Sequence, residues 1–200
     1  MIHVSTSSAL ARRSTPAGRA MVIGAALAGV VWLRAALVDT SMDAVAVGIA
    51  FGVALFAISV AAGWRPAPGG AIRPVVIGLA GAAALVGLSW VARLQGPAVP
   101  LAVPAPFWAW ATATALAAAS EEILLRGVLF DVCEGAWGLP VAVGVTSVAF
   151  ALMHVPTYGL PAFPLDLGVG LVLGGLRVLG GGPGAPAVAH VAADLAAWFL

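Results

Sequence analysis

The chain has 200 residues, of which 62% are hydrophobic and 8% are charged, with a mean hydropathy of +1.08 and a net charge of +1. Soluble domains carry about a quarter charged residues, so this composition excludes an ordinary soluble domain and predicts a polytopic membrane protein. The near balance of acids and bases gives no basic surface for a nucleic-acid partner, and we expect the lipid bilayer to be the main surrounding.

The N-terminal half predicts three transmembrane helices within residues 21–104, after a polar tail at 1–20 that we place in the cytoplasm. The apolar segments have about the length of a membrane span. They lie at 21–38, 44–64 and 74–92. Residues 96–106 contain four prolines, which interrupt a helix and predict a linker on the outer side.

Residues 105–200 predict four further helices. They lie at 107–130, 139–155, 165–180 and 185–200. We expect Asp131 to mark the end of the fourth helix and Pro156 to close the fifth. The fold prediction is therefore an all-α transmembrane bundle of about seven spans, although six or eight also fit. Placing only Arg34 and Arg93 outside satisfies the positive-inside rule, with a cytoplasmic N-terminus in a plasma membrane.

Two adjacent carboxylates, Glu121 and Glu122, interrupt the apolar fourth helix, and Arg126 follows one turn later. The spacing of four residues predicts an ion pair between Glu122 and Arg126, which lets both charges stay in the membrane. Glu121 points about 100° away around the helix and needs a different partner. An unpaired carboxylate at this depth is a candidate general base.

The chain has three histidines, and two of them lie in the predicted C-terminal helices. Phe150 precedes His154 by one turn, and Asp194 follows His190 by one turn. Taken singly, each of these groups is typical of a satisfied buried side chain. Taken together with the glutamates, they lie on three different helices, which is how helical bundles build a site.

The ordered motifs Glu-Glu-x-x-x-Arg, Phe-x-x-x-His and His-x-x-x-Asp resemble those of the CPBP intramembrane endopeptidases. This family contains the type II CAAX prenyl endopeptidases and the bacteriocin-processing or Abi-type proteins. The resemblance covers residues 105–200 and marks them as a catalytic four-helix core. It implies hydrolysis of a peptide bond in a membrane-associated protein or peptide. Nine arginines and no lysine in an alanine-rich chain suggest a bacterial source.

The resemblance also implies roles for individual residues. Glu121, assisted by His154, would activate the attacking water, while His190 and Asp194 would hold the water or the developing oxyanion. The supporting residues would be Glu122, Arg126 and Phe150. Many family members have Asn at the position of Asp194, and a carboxylate cannot donate a hydrogen bond unless it is protonated. Pairing of Asp194 with His190 is the alternative to an oxyanion role.

A zinc ion is a further hypothesis, because the family has been described both as metal-dependent and as metal-free. The ligands would be Glu121, His154, His190 and Asp194, since zinc accepts nitrogen and oxygen donors. The His-Glu-x-x-His helix of familiar zinc proteases is absent, so we expect the metal-free version.

Two other functions remain open. A proton or ion relay, or a transporter-like protein, could use the same buried cluster, and a silent scaffold could keep it for structure. The predicted helix ends place Glu121 about 14 Å deep, His190 about 9 Å and His154 about 23 Å. These depths differ, so the hypothesis of a single site depends on whether the fold brings the side chains together.

Overall fold

A computed structural model describes residues 15–38, 42–66, 72–94 and 105–199, and all regular structure within these ranges is helical. The helices are α1 (Pro16–Val38), α2 (Ala44–Ala61), α3 (Ile72–Leu94), α4 (Phe107–Glu122), α5 (Phe130–Trp137), α6 (Leu139–Tyr158), α7 (Phe163–Gly180) and α8 (Gly184–Ala196). A π-helical segment, Ile123–Leu129, joins α4 to α5 without a break, and a 3₁₀ turn, Leu160–Ala162, precedes α7. The all-α prediction is confirmed.

Five of the described helices are long and apolar enough to cross a membrane. They are Pro16–Val38, Ala44–Ala61, Ile72–Trp90, Leu139–Tyr158 and Leu160–Gly180. The continuous helical run from Phe107 to Trp137 and the shorter α8 complete the bundle. A count of about seven spans is roughly consistent with this arrangement. Large apolar side chains, such as the 73% exposed Trp32, cover the outside, as expected of a surface that faces lipid.

Several predicted helix boundaries were wrong. The first helix begins at Pro16 and includes Arg19, the second ends at Ala61, and the fourth helical run continues past Asp131 to Trp137. That run ends because Gly138 adopts a φ of +83°, which glycine tolerates and which stops a helix. Three predictions concern residues outside the described ranges. They are those for residues 1–14, for the proline-containing linker at 95–104 and for Leu200.

Pro156 does not close the fifth predicted helix, which extends to Tyr158 as α6. A proline removes one helical hydrogen bond, but its φ is compatible with a helix, so the last turn can still form. The N–H of Gly159 then donates to the Val155 carbonyl at 2.8 Å. This extra turn matters for the site because it carries Tyr158.

The short α8 lies inside the bundle, packed against α3, α4 and α7. Two glycines of α3 permit this close approach. A Cβ atom at Gly78 would lie 2.6 Å from the Val188 Cβ, and one at Gly81 would lie 3.3 Å from the Ala189 Cβ. Because α3 has no side chains at these points, α8 can present His190 to α4 in the interior.

Candidate active site

The centre of the site is a fully buried ion pair between Glu122 and Arg126. The Arg126 Nη1 donates to the Glu122 Oε1 at 2.9 Å, and neither side chain is exposed. This predicted pair is confirmed. The same carboxylate oxygen also accepts from the Nδ1 of His190 at 3.0 Å, a contact between α4 and α8 that the sequence did not predict. Glu122 therefore ties Arg126 to His190.

The π-helical segment helps to hold Arg126 in place. The N–H of Phe130 donates to the Leu125 carbonyl, one residue earlier than an α-helix would require. The Arg126 carbonyl instead accepts from the Nε of Arg177 at 2.7 Å. The Arg126 guanidinium also donates to the Gly170 carbonyl at 3.1 Å, so α7 contacts both its backbone and its side chain.

Phe150 connects the arginine to both histidines. The Arg126 guanidinium lies over the Phe150 ring, 4.8 Å from its centroid. The same ring lies 4.5 Å from the His154 ring and 5.3 Å from the His190 ring, measured between centroids. Phe150 thus packs between the groups that the sequence placed on three helices, which agrees with the supporting role expected of it.

Glu121 has no ion-pair partner among the described residues, whereas Glu122 pairs with Arg126 and His190; each of the two carboxylates keeps one buried oxygen, Oε2, without a hydrogen bond. The Glu121 side chain is buried, with the residue 4% exposed. The ionisable groups within electrostatic range of it include His154, His190 and Asp194. Glu121 is therefore a buried acceptor within electrostatic range of both histidines, with capacity left for a water or substrate donor.

His154 is oriented by its own helix. Its Nδ1 lies 2.8 Å from the Phe150 carbonyl oxygen, which can only accept, so Nδ1 carries the proton. In the neutral ring the lone pair then lies on Nε2. The ring also stacks on Tyr158, with the centroids 5.8 Å apart and the planes 8° from parallel. This arrangement leaves Nε2 as the atom able to accept a proton.

His190 contacts acids through both ring nitrogens. Its Nδ1 donates to the Glu122 carboxylate, and its Nε2 lies 3.5 Å from the Asp194 Oδ2. The Asp194 side chain is 43% exposed, so it lies at the open side of the site. The geometry agrees with the expected pairing of Asp194 with His190.

Both histidines face one cavity of about 240 Å³ between α3, α6, α7 and α8. Asp194 lines it as well, so the structure brings three of the four expected catalytic side chains to one space. The depths inferred from predicted helix ends were therefore wrong for the histidines. Glu121 does not line this cavity; it lies buried in α4, within electrostatic range of the two histidines.

The cavity contains polar side chains that the sequence analysis missed. They are Ser89, Tyr158 and Asp166. The Asp166 Oδ2 is buried and has no hydrogen-bond partner among the described residues. A signal for Asp166 was present, because it is an acid in the first turn of an apolar helix. Tyr158, the single tyrosine of the chain, gave no comparable signal.

The expected zinc ligands do not form a metal site in this arrangement. Within the described ranges, no group of three or more His, Cys, Asp or Glu side chains is placed to hold a metal ion. The Nδ1 of His190 is bonded to Glu122 and the Nδ1 of His154 to a carbonyl, so each ring could bind a metal only through its Nε2. The described side chains do not converge as a set of zinc ligands.

Comparison with known families agrees with the motifs. Residues 103–196 match the family model described as type II CAAX prenyl endopeptidase Rce1-like. Residues 103–196 are therefore similar to a CAAX prenyl endopeptidase domain. The matched range begins just before α4 and ends with α8, so it contains all the catalytic and supporting residues that the motifs predicted. Searches of curated proteins and of solved structures find no match to this chain. The domain match and the apolar helices together describe a multi-pass membrane protein of a protease family.

Proposed function

We propose that the protein is an intramembrane endopeptidase that hydrolyses a peptide bond of a membrane-associated protein or peptide. The observation that supports this most is the meeting of His154, His190 and Asp194 at one cavity, with the buried Glu121 within electrostatic range of both histidines. The catalytic residues that we propose all belong to residues 105–200, the range that the motifs mark as the catalytic core.

In the proposed reaction, Glu121 and the Nε2 of His154 hold a water, and Glu121 takes its proton as the oxygen attacks the scissile carbonyl carbon. The carbonyl becomes a tetrahedral oxyanion. When the intermediate collapses, the C–N bond breaks and Glu121 returns the proton to the leaving amine. One water is consumed, and one carboxylate and one amine are formed.

The assignment of the base to Glu121 rather than Glu122 rests on their partners. Glu122 is already bonded to Arg126 and His190, so it acts as a positioning residue. Because carboxylates lie at both of its ring nitrogens, His190 in the proposed reaction is the charged imidazolium, which donates from Nδ1 to Glu122 and carries a second proton on Nε2, toward Asp194 and the cavity. This N–H is the proposed donor to the oxyanion, and its removal from such a site typically costs about 10²-fold to 10³-fold in rate.

The test uses the full-length protein in proteoliposomes with a library of single-span membrane peptides in ¹⁸O-labelled water. Hydrolysis places one ¹⁸O atom in each new C-terminal carboxylate, which mass spectrometry detects. We expect Glu121→Gln to lower cleavage by about 10²-fold to 10⁴-fold. Glu134→Gln, at an exposed acid on α5, is the matched control and should cleave normally. Cleavage by Glu121→Gln at the normal rate would show that the proposed mechanism is wrong.

A proton relay is the second candidate, supported by the continuous chain of contacts from Arg126 through Glu122 and His190 to Asp194. The same proteoliposomes, loaded with a pH-sensitive dye, distinguish the two functions. Proton flux that Glu122→Gln abolishes, together with no ¹⁸O incorporation into any peptide, would favour the relay.

A further inference from the structure

A second and larger cavity, of about 930 Å³, lies at the opposite end of the bundle from the histidines. Its wall contains Arg73 of α3, Arg177 of α7 and Gly184 of α8, whereas the histidine cavity touches the other ends of these three helices. All but one of the charged side chains in this wall are arginines. They are Arg19, Arg65, Arg73 and Arg177, against the single acid Asp131.

Only one of the four arginines is paired with an acid within the described ranges. The Arg177 Nη2 lies 2.7 Å from the Asp131 Oδ1, and this pair uses the one carboxylate of the wall. The other three guanidiniums donate to backbone carbonyls, at 2.9 Å for Arg73, 2.7 Å for Arg65 and 3.4 Å for Arg19. A carbonyl accepts a hydrogen bond but does not neutralise a charge. Three positive charges therefore surround one concave space.

The sequence that adjoins three of these arginines adds no acid. The segments 1–14 and 67–71, which border Arg19, Arg65 and Arg73 in sequence, contain neither Asp nor Glu. Each guanidinium has five N–H donors, and these contacts use few of them. The cavity thus combines uncompensated positive charge with free donors, which is the chemistry of an anion site rather than of a salt-bridge network.

The shape and position of the cavity favour a phosphate group. The planar guanidinium matches phosphate oxygens in a bidentate manner, and the wall also contains Gly181, Gly182 and the first residue of α8, where backbone N–H groups favour anions. The wall lies at the ends of membrane-spanning helices and includes Trp64, a residue type that prefers the headgroup level. We propose that this cavity binds a phosphate group, presented by an anionic phospholipid headgroup or as free phosphate.

The experiment measures binding to the purified full chain in detergent at constant ionic strength. Native mass spectrometry and thermal unfolding compare phosphatidylglycerol, phosphatidylcholine and inorganic phosphate. We expect phosphatidylglycerol to bind more tightly than phosphatidylcholine. The double variant Arg65→Gln/Arg73→Gln should lower the affinity by about 10-fold or more, because each arginine contributes to attraction of an anionic headgroup. Arg93→Gln, near the far end of α3, is the control for loss of a single arginine, matched in charge to Arg65→Gln alone, and it should bind like the unmodified protein.

Competition separates the two sources of phosphate. Inorganic phosphate that displaces phosphatidylglycerol supports a site for the free anion, and phosphatidylglycerol binding that phosphate does not disturb supports a headgroup site. If the double variant fails to fold, Arg65→Gln alone serves, because its described hydrogen bond reaches only the adjacent Trp64 carbonyl. Equal affinity for both lipids without phosphate binding, or unchanged affinity in the arginine variants, would overturn the proposal.

Discussion

Two arginine–carboxylate pairs among the described residues have similar distances but different surroundings. Arg126 and Glu122 lie 2.9 Å apart with both side chains fully buried, whereas Arg177 and Asp131 lie 2.7 Å apart with Asp131 63% exposed. The buried pair holds His190 and cannot exchange its partner for water. The exposed pair can exchange its partner for water. An arginine–carboxylate pair therefore holds the candidate active site in place at one end of the bundle, whereas at the other end it leaves the arginine cavity open to anions.

Breaking the buried pair should have the largest effect. Arg126→Ala leaves Glu122 as an uncompensated buried charge, which typically costs about 3–5 kcal/mol of stability. We expect the variant to accumulate poorly in membranes and to unfold at a much lower temperature. Arg65→Ala, at an exposed arginine, is the control and should accumulate normally. Normal accumulation of Arg126→Ala would mean that the pair does not stabilise the fold.

Changing a group that faces the histidine cavity should affect cleavage but not stability. His154→Ala removes the proposed partner of Glu121 and should slow cleavage by about 10²-fold to 10⁴-fold, measured by ¹⁸O incorporation. The protein should accumulate normally, because the described hydrogen bond of His154 lies within its own helix. Tyr158→Phe keeps the stacked ring and should retain most of the rate. Full activity of His154→Ala would remove this residue from the mechanism.

Asp194 offers a finer test, since its role could be pairing or oxyanion binding. An amide at this position can donate a hydrogen bond, so Asp194→Asn should retain cleavage, while Asp194→Leu should lower it by about 10²-fold to 10³-fold. Equal losses in both variants would instead show that the carboxylate is needed to hold the Nε2 of His190. Accumulation in the membrane is measured in parallel, to separate activity from folding.

The exposed pair should give the smallest effect. Asp131→Asn removes the ionic contact with Arg177 and should cost about 0.2–1 kcal/mol, because water and salt screen an exposed pair. Thermal unfolding at low and high salt measures this change, which should shrink as the salt concentration rises. A loss of stability as large as that of Arg126→Ala would mean that the exposed pair stabilises the fold as strongly as the buried pair.

The contacts within single helices could be predicted from the sequence, whereas those between helices could not. The spacing of four residues between Glu122 and Arg126 was enough to predict their ion pair. The 100° separation of adjacent helical residues was enough to predict that Glu121 does not share this pair. The bond from Glu122 to His190 joins residues 68 positions apart. This hydrogen bond depends on how α8 packs in the bundle, which no local sequence pattern indicates.

The depths predicted for Glu121, His154 and His190 disagreed because the predicted helix ends were wrong, and not because of the motifs. Measured from the observed ends at Trp137 and Leu139, Glu121 and His154 both lie about 23 Å along their helices. The short α8 begins beside Gly127, where an added Cβ would lie 3.5 Å from the Pro183 ring. Because that start is already about 15 Å from Trp137, His190 reaches the same level.

The π-helical segment sets the angle around the helix axis between the two glutamates and Asp131. Glu121 and Glu122 precede it, and Asp131, in the wall of the arginine cavity, follows it. Removing one residue from Ile123–Leu129 would restore the α-helical hydrogen-bonding register and turn the two parts by about 100° relative to each other. The shortened helical run could then place its glutamates toward the histidines, or Asp131 toward Arg177, but it could not do both. One additional residue in a helix thus lets a single helical run serve both ends of the bundle.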